Sequence, residues 1–126
     1  MGYRSQVVLA ISKHLTPFLT LATAQNKDAE SLVFAHHDRF DRDYGGDNSW
    51  LIAWDGIKWY DSYEDIQAIE RFVQEACGDE YEFEVDGKKQ SSAEHIRFVR
   101  VGEESGDIEL HGDGFWDIYP NTTICY

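Results

Sequence analysis

WLIAWDGIKWY, residues 50–60, is the stretch on which the fold of this chain turns. Asp55-Gly56 stands between two apolar runs and suits a two-residue type I′ turn, so the segment reads as a β-hairpin. That turn sets Trp54 opposite Ile57, Ala53 opposite Lys58, Ile52 opposite Trp59 and Leu51 opposite Tyr60. Alternation then gathers Trp50, Ile52, Trp54, Ile57 and Trp59 on one face. Leu51, Ala53, Lys58 and Tyr60 fall on the other. The indole-rich face needs a cover, and the next residues supply one. Ser62 can cap a helix, with Asp65 at the capping-box position. Ile66, Ile69, Val73 and Ala76 then share one helical face, and Gly78 can end the helix.

Working back toward the N-terminus, RSQVVLAI (residues 4–11) reads as a strand. Val7, Leu9 and Ile11 share one face, and Val8 and Ala10 the other. Apolar residues on both faces suit a central strand. Thr16 and Pro17 open a predicted helix that runs to about Gln25. Asp28 can cap a second helical segment through Leu32 and Ala35, although Leu32 to Ala35 also suits a short strand. DRDYGGDN (residues 41–48) reads as a loop.

Beyond the second helix the pattern is β-rich. YEFEV alternates, DGKKQSS turns, and HIRFVRVGEE is a strand. Ile96, Phe98 and Arg100 share one face of it; His95, Arg97, Val99 and Val101 share the other. GDIELHGDG and FWDIYPNTTICY supply short terminal strands, with Gly112 and Gly114 around a tight turn. Strand, helix, hairpin, helix, strand is the order of an α+β, ferredoxin-like split βαβ antiparallel sheet. Its two helices lie on one face, and extra C-terminal strands follow. One domain over residues 1–126 is expected.

The formal charge is −13, from 24 acidic and 11 basic residues. Phosphate repels such a chain, which disfavours direct nucleic-acid or anionic-membrane binding and favours partners of basic character. Cys77 and Cys125 are too few for a disulfide framework and suit reduced thiols in a cytosol. The first residues lack the apolar length of a signal peptide or a spanning helix. The sequon at Asn121 carries no meaning without secretion.

Three segments, MGYRSQV, WDGIKWYDSYEDIQAI and FVRVGEESGDIE, together resemble a group of small proteins encoded in bacteriophage and prophage genomes. Members open with Met-Gly-Tyr-Arg-Ser, carry a hairpin ending in Lys-Trp-Tyr before a helix, and later show a Phe-x-Arg-x-Gly-Glu strand with an Asp-Ile-Glu step. The resemblance spans most of the chain. It implies a viral accessory protein acting in the cytoplasm of a bacterial host, with no catalytic residue to carry over. FEVDGKKQSSAE and the aromatic C-terminal stretch depart from the pattern.

The residues suggest little chemistry of their own. His36, His37, Asp38, Asp41 and Asp43 offer metal-ligand atoms, but Gly45 and Ile52 stand where a calcium loop needs ligands. A solvated acidic loop fits better, and no metal or cofactor is expected. His111, beside Glu109 and Asp113, reads as a surface histidine. The helix end near Cys77 should raise its pKa, against a nucleophilic role. Arg4 and Arg100 are expected to form exposed ion pairs at strand ends, each worth under about 1 kcal/mol.

A non-enzymatic interaction protein that modulates a host protein is therefore the expected function. Leu51, Lys58 and Tyr60 on the open sheet face are its candidate contact residues. The alternative is an acidic nucleic-acid mimic competing for a basic DNA- or RNA-binding protein. Against the mimic, the acids are scattered over loops, helix ends and strands. Open sheet faces would also allow a homodimer.

Overall fold

The computed structural model describes residues 2–114, 116–120 and 124–125. The N-terminal run forms β1 (Ser5–Ile11), followed by α1 (Thr16–Ala24) and α2 (Lys27–Phe34). β2 (Arg39–Tyr44), β3 (Ser49–Ile57) and α3 (Glu64–Cys77) come next. A small ribbon, β4 (Glu84–Val85) and β5 (Lys88–Lys89), leads through a 3-10 turn at Ser92–His95 to β6 (Ile96–Gly102) and β7 (Ile108–His111). The described chain ends with β8 (Tyr119–Pro120) and β9 (Ile124–Cys125). Asn121, Phe115 and Tyr126 of the predicted terminal strands lie outside the described residues.

Five strands form one sheet in the order β2-β3-β1-β6-β7, with every neighbour antiparallel. β1 is its central strand, as apolar residues on both faces require. Val7, Leu9 and Ile11 face the helices, and Val8 and Ala10 face the other side.

The predicted hairpin at Asp55-Gly56 is not formed. β3 runs through both residues, pairing with β2 on one side and β1 on the other. Between the pairs Ser5↔Ile57 and Val7↔Trp54, β3 carries one extra residue, so the dipeptide sits at a β-bulge. Pairing along two full-length neighbours outweighs a local turn preference. The type I′ conformation appears instead at a second Asp-Gly: Asp86 and Gly87 have φ of 52° and 77° between β4 and β5. The bulge reverses the alternation after Trp54. Trp50, Ile52, Trp54, Ile57 and Trp59 therefore still pack into the helix-side core, by a different route.

Three helices, rather than two, cover that face. Leu19 of α1, Val33 of α2, and Ile66, Ile69, Phe72 and Val73 of α3 pack on Leu9, Ile52, Trp54 and Phe98. Each large apolar side chain so buried contributes roughly 1.5–3 kcal/mol. The second helical segment forms as α2 (Lys27–Phe34), and its cap is Asn26, whose side chain accepts from the Asp28 and Ala29 N–H groups at 3.0 Å. Ser62 does not cap α3; Tyr63 precedes the helix without a side-chain bond. Residues 39–44, placed partly in a loop by their polarity, form the edge strand β2. An edge strand tolerates the charges that a central one excludes.

The opposite face of the sheet is not open. Ile118 and Ile124 lie buried against Val8, Ala10, Leu51, Ala53 and Val99. The Ile124 N–H donates to Gln6 Oε1 at 2.9 Å, tying this cover to the central strand.

Candidate functional site

A cleft of about 720 Å³ opens between α3 and the β6–β7 side of the sheet. Its floor follows from strand alternation. Ile96 and Phe98 of β6 enter the core, and Arg100, next on the same face, lies near the strand end where the apolar cover runs out. Arg100 is only 9% exposed. Its Nε donates to Glu109 Oε1 at 3.0 Å, and Nη1 donates to Ser5 Oγ at 3.0 Å. Nη2 and Nη1 grip Asp107 Oδ1 and Oδ2 at 2.6 and 3.2 Å, a bidentate pairing. The expectation of an exposed pair is corrected here: this guanidinium is buried and fully engaged. Arg4 also departs from expectation, donating to the Gly56 carbonyl at 2.6 Å rather than to a carboxylate.

Asp107 also accepts the Tyr3 hydroxyl at 2.6 Å, and the Tyr3 oxygen accepts the Glu104 N–H at 2.9 Å. The Arg100 and Tyr3 hydrogen bonds hold the Asp107 carboxyl below the usual carboxylate range. The same contact with Asp107 pushes the Tyr3 hydroxyl pKa up, and it raises that of Arg100. Gly102 makes the arrangement fit. A Cβ there would overlap both the Asp107 carboxylate and the Tyr3 hydroxyl.

α3 supplies the other wall, with Gln67, Glu70, Arg71 and Gln74 turned to the cleft. Glu70 Oε1 accepts the Trp59 indole N–H at 2.7 Å. Burial raises the Glu70 pKa, and the Trp59 hydrogen bond works against that rise. His111 Nε2 lies 3.8 Å from Glu109 Oε2. Asp61, Glu70, Asp107 and Glu109 thus share the cleft with Arg71, Arg100 and His111, beside the rings of Tyr3, Trp59 and Tyr60. Arg100 is saturated by its partners, so the cleft offers mainly acceptors and ring faces. Such a lining suits a cationic or hydrogen-donating group.

The candidate contact residues separate. Leu51 is fully buried beneath Ile118 and Ile124, so it is not a surface residue. Lys58 is exposed. Tyr60 is half-buried and lines the cleft. The Tyr60 hydroxyl and the Lys58 stem both press on Gly2, where a Cβ would overlap them. Sequence reasoning missed the Arg100 network. Its signal was an arginine on an apolar strand face, two residues before a glycine.

The residues weighed as metal ligands serve the backbone instead. Asp38 accepts the Asp55 N–H at 2.7 Å, Asp41 the Asp43 N–H at 2.9 Å and Asp43 the Asn48 N–H at 2.9 Å. His36 bonds Ser31, and His37 Nδ1 bonds the Val33 carbonyl. Among the described residues, no group of three or more His, Cys, Asp or Glu is placed to hold a metal ion. Cys77 has a raised pKa, caused first by burial and then by the charges of Asp113 and Asp79. Among the described residues no helix is long and apolar enough to cross a membrane.

Three segments far apart in the sequence meet at this cleft. MGYRSQV brings Tyr3 and Ser5, WDGIKWYDSYEDIQAI brings Trp59, Tyr60 and Asp61, and FVRVGEESGDIE brings Arg100, Gly102, Asp107 and Glu109. Comparison of the chain with protein-family models, curated proteins and solved structures gave no match.

Proposed function

We propose that this is a non-enzymatic bacteriophage accessory protein that binds a host protein of basic character in the bacterial cytoplasm, through the mouth of the Arg100 cleft. The observation that carries the reading is the convergence of three sequence-distant segments on one acidic, aromatic-lined cleft. A lysine or arginine of the partner would find Asp61, Glu70 and Glu109 beside the ring of Tyr60. The net charge of −13 steers a basic partner toward the molecule from a distance. The contact surface thus moves from the sheet face to the cleft, keeping Tyr60 with Lys58 at its border and losing Leu51.

A ferredoxin-like reading of the fold is part of this proposal. It is supported by the antiparallel order β2-β3-β1-β6, with α1 and α2 after β1 and α3 after β3. β7 and the two short ribbons would then be additions.

Immobilised protein incubated with bacterial lysate tests the function. A saturable basic partner should be retained, eluted by salt, and lost from a Tyr60→Ala, Asp61→Asn double variant. Retention of no saturable partner, or equal retention by the variant, would overturn the reading.

A further inference from the structure

β7 is the last strand of the five-stranded sheet, and no described strand pairs with its outer edge. The strand is nonetheless apolar on one side: Ile108 is 43% and Leu110 44% exposed. Alternation turns Glu109 and His111 into the cleft, and Ile108 and Leu110 to the opposite face.

The backbone of this edge is defined by the ladder inside it. The Gly102 N–H donates to the Asp107 carbonyl at 2.8 Å, which makes these two residues a directly bonded pair. Bonded pairs recur at every second position of an antiparallel ladder. Glu109 and His111 therefore direct their backbone groups to Arg100 and Phe98 of β6. Leu110, in between, directs both its N–H and its C=O away from β6, to the open edge. Such a residue is the natural centre for a further strand.

We propose that the occupant of this edge is a second copy of the chain, its β7 antiparallel to the first, with the twofold axis passing beside Leu110. Leu110 then exchanges both backbone bonds with Leu110 of the second copy, and the two side chains cover one another. Glu109 stands opposite His111 of the second copy, and symmetry repeats the pair. No other residue of this edge can lie on the axis. An axis at Ile108 or Glu109 would need the Ile108 N–H, which the Gly106 carbonyl takes at 3.0 Å, and an axis at His111 or Gly112 would need the Gly112 carbonyl, which Arg97 Nη1 takes at 3.0 Å. The strand is thus complementary to itself in one register, in backbone, in apolar contact and in setting a carboxylate opposite an imidazole. This inference is independent of the host-partner reading, although it brings two clefts side by side.

Sedimentation equilibrium over a concentration series up to the millimolar range tests it. A reversible monomer–dimer equilibrium is expected. Because two chains of charge −13 repel at long range, added salt should strengthen it, whereas salt should weaken a basic partner's binding. Leu110→Lys should leave a monomer. Leu110→Cys should oxidise to a covalent dimer that reduction releases, while Ile108→Cys, displaced from the axis, should not. In the wild type the Leu110 amide should exchange more slowly as concentration rises. A monomer at every concentration, equal cross-linking from both cysteine variants, or a concentration-independent Leu110 amide would overturn the proposal.

Discussion

At the end of β6, the Arg100 guanidinium is held by two carboxylates and a serine hydroxyl while almost out of solvent. Removing it would leave Asp107 and Glu109 facing each other without a counter-charge. Arg100→Met should therefore cost about 2–4 kcal/mol by urea unfolding at neutral pH. Arg100→Lys should recover only part of this, since an ammonium cannot grip Asp107 bidentately. Glu70, across the cleft, behaves oppositely with pH. Its pKa is higher folded than unfolded. Its contribution is fully present below the unfolded carboxylate range and is lost as pH rises through the folded pKa. Glutamine has no proton to lose and can still accept the Trp59 N–H. The melting temperature of Glu70→Gln should thus gain on the wild type between acid and neutral pH. Asp107 has the reverse sign, because its folded pKa is lowered: its stabilisation is present above the unfolded carboxylate range and fades as pH falls through the folded value.

At the scale of the element, two of the chain's three Asp-Gly dipeptides, at 55–56 and 86–87, show how far local sequence reaches. The same pair forms a tight turn where two-residue strands flank it and passes straight through where long strands run on both sides. Gly56 has no positive φ and no neighbour within 4 Å of an added Cβ. Gly56→Ala should accordingly be neutral or stabilising by up to about 0.5 kcal/mol. Gly112 has φ +90°, and a Cβ there would overlap the Ile96 carbonyl. Gly112→Ala should lower the denaturant midpoint clearly. Had Gly56 been a turn residue, the two substitutions would behave alike. Side-chain periodicity gave the right core residues for β1, β3 and α3, because 3.6- and 2-residue periods record burial directly, but it put Tyr60 on the face opposite Trp59, whereas both line the cleft. It could not give the strand partners. Pairing of β3 with β1 and β2 is a property of three distant segments, and no single window of the chain contains it. The Arg100 site was hidden for the same reason: Tyr3, Ser5, Glu70 and Asp107 become neighbours only once the sheet exists.

At the scale of the whole molecule, the sheet is a middle layer. Helices close one face, and the segment bearing Ile118 and Ile124 closes the other. This second cover was absent from the reading of the sequence, which left Leu51 exposed, because its apolar residues are few and widely spaced. Their burial is as complete as that of the helix-side core: Ile118, like Ile69 of α3, is 0% exposed. Ile118→Ala should then cost about 2–4 kcal/mol in a urea titration, comparable with Ile69→Ala. A cost near that of a surface substitution would mean that the cover is not closed in solution.

That cover also sets an order of events during synthesis. The strand at the heart of the sheet is made well before its outer cover, with 118 positions between Gln6 and Ile124, and its outer side chains stay wet until that segment follows. The helices and the other strands can gather on this strand first, but Val8 and Ala10 are sealed only when Ile118 and Ile124 dock, and until then an apolar surface faces other chains.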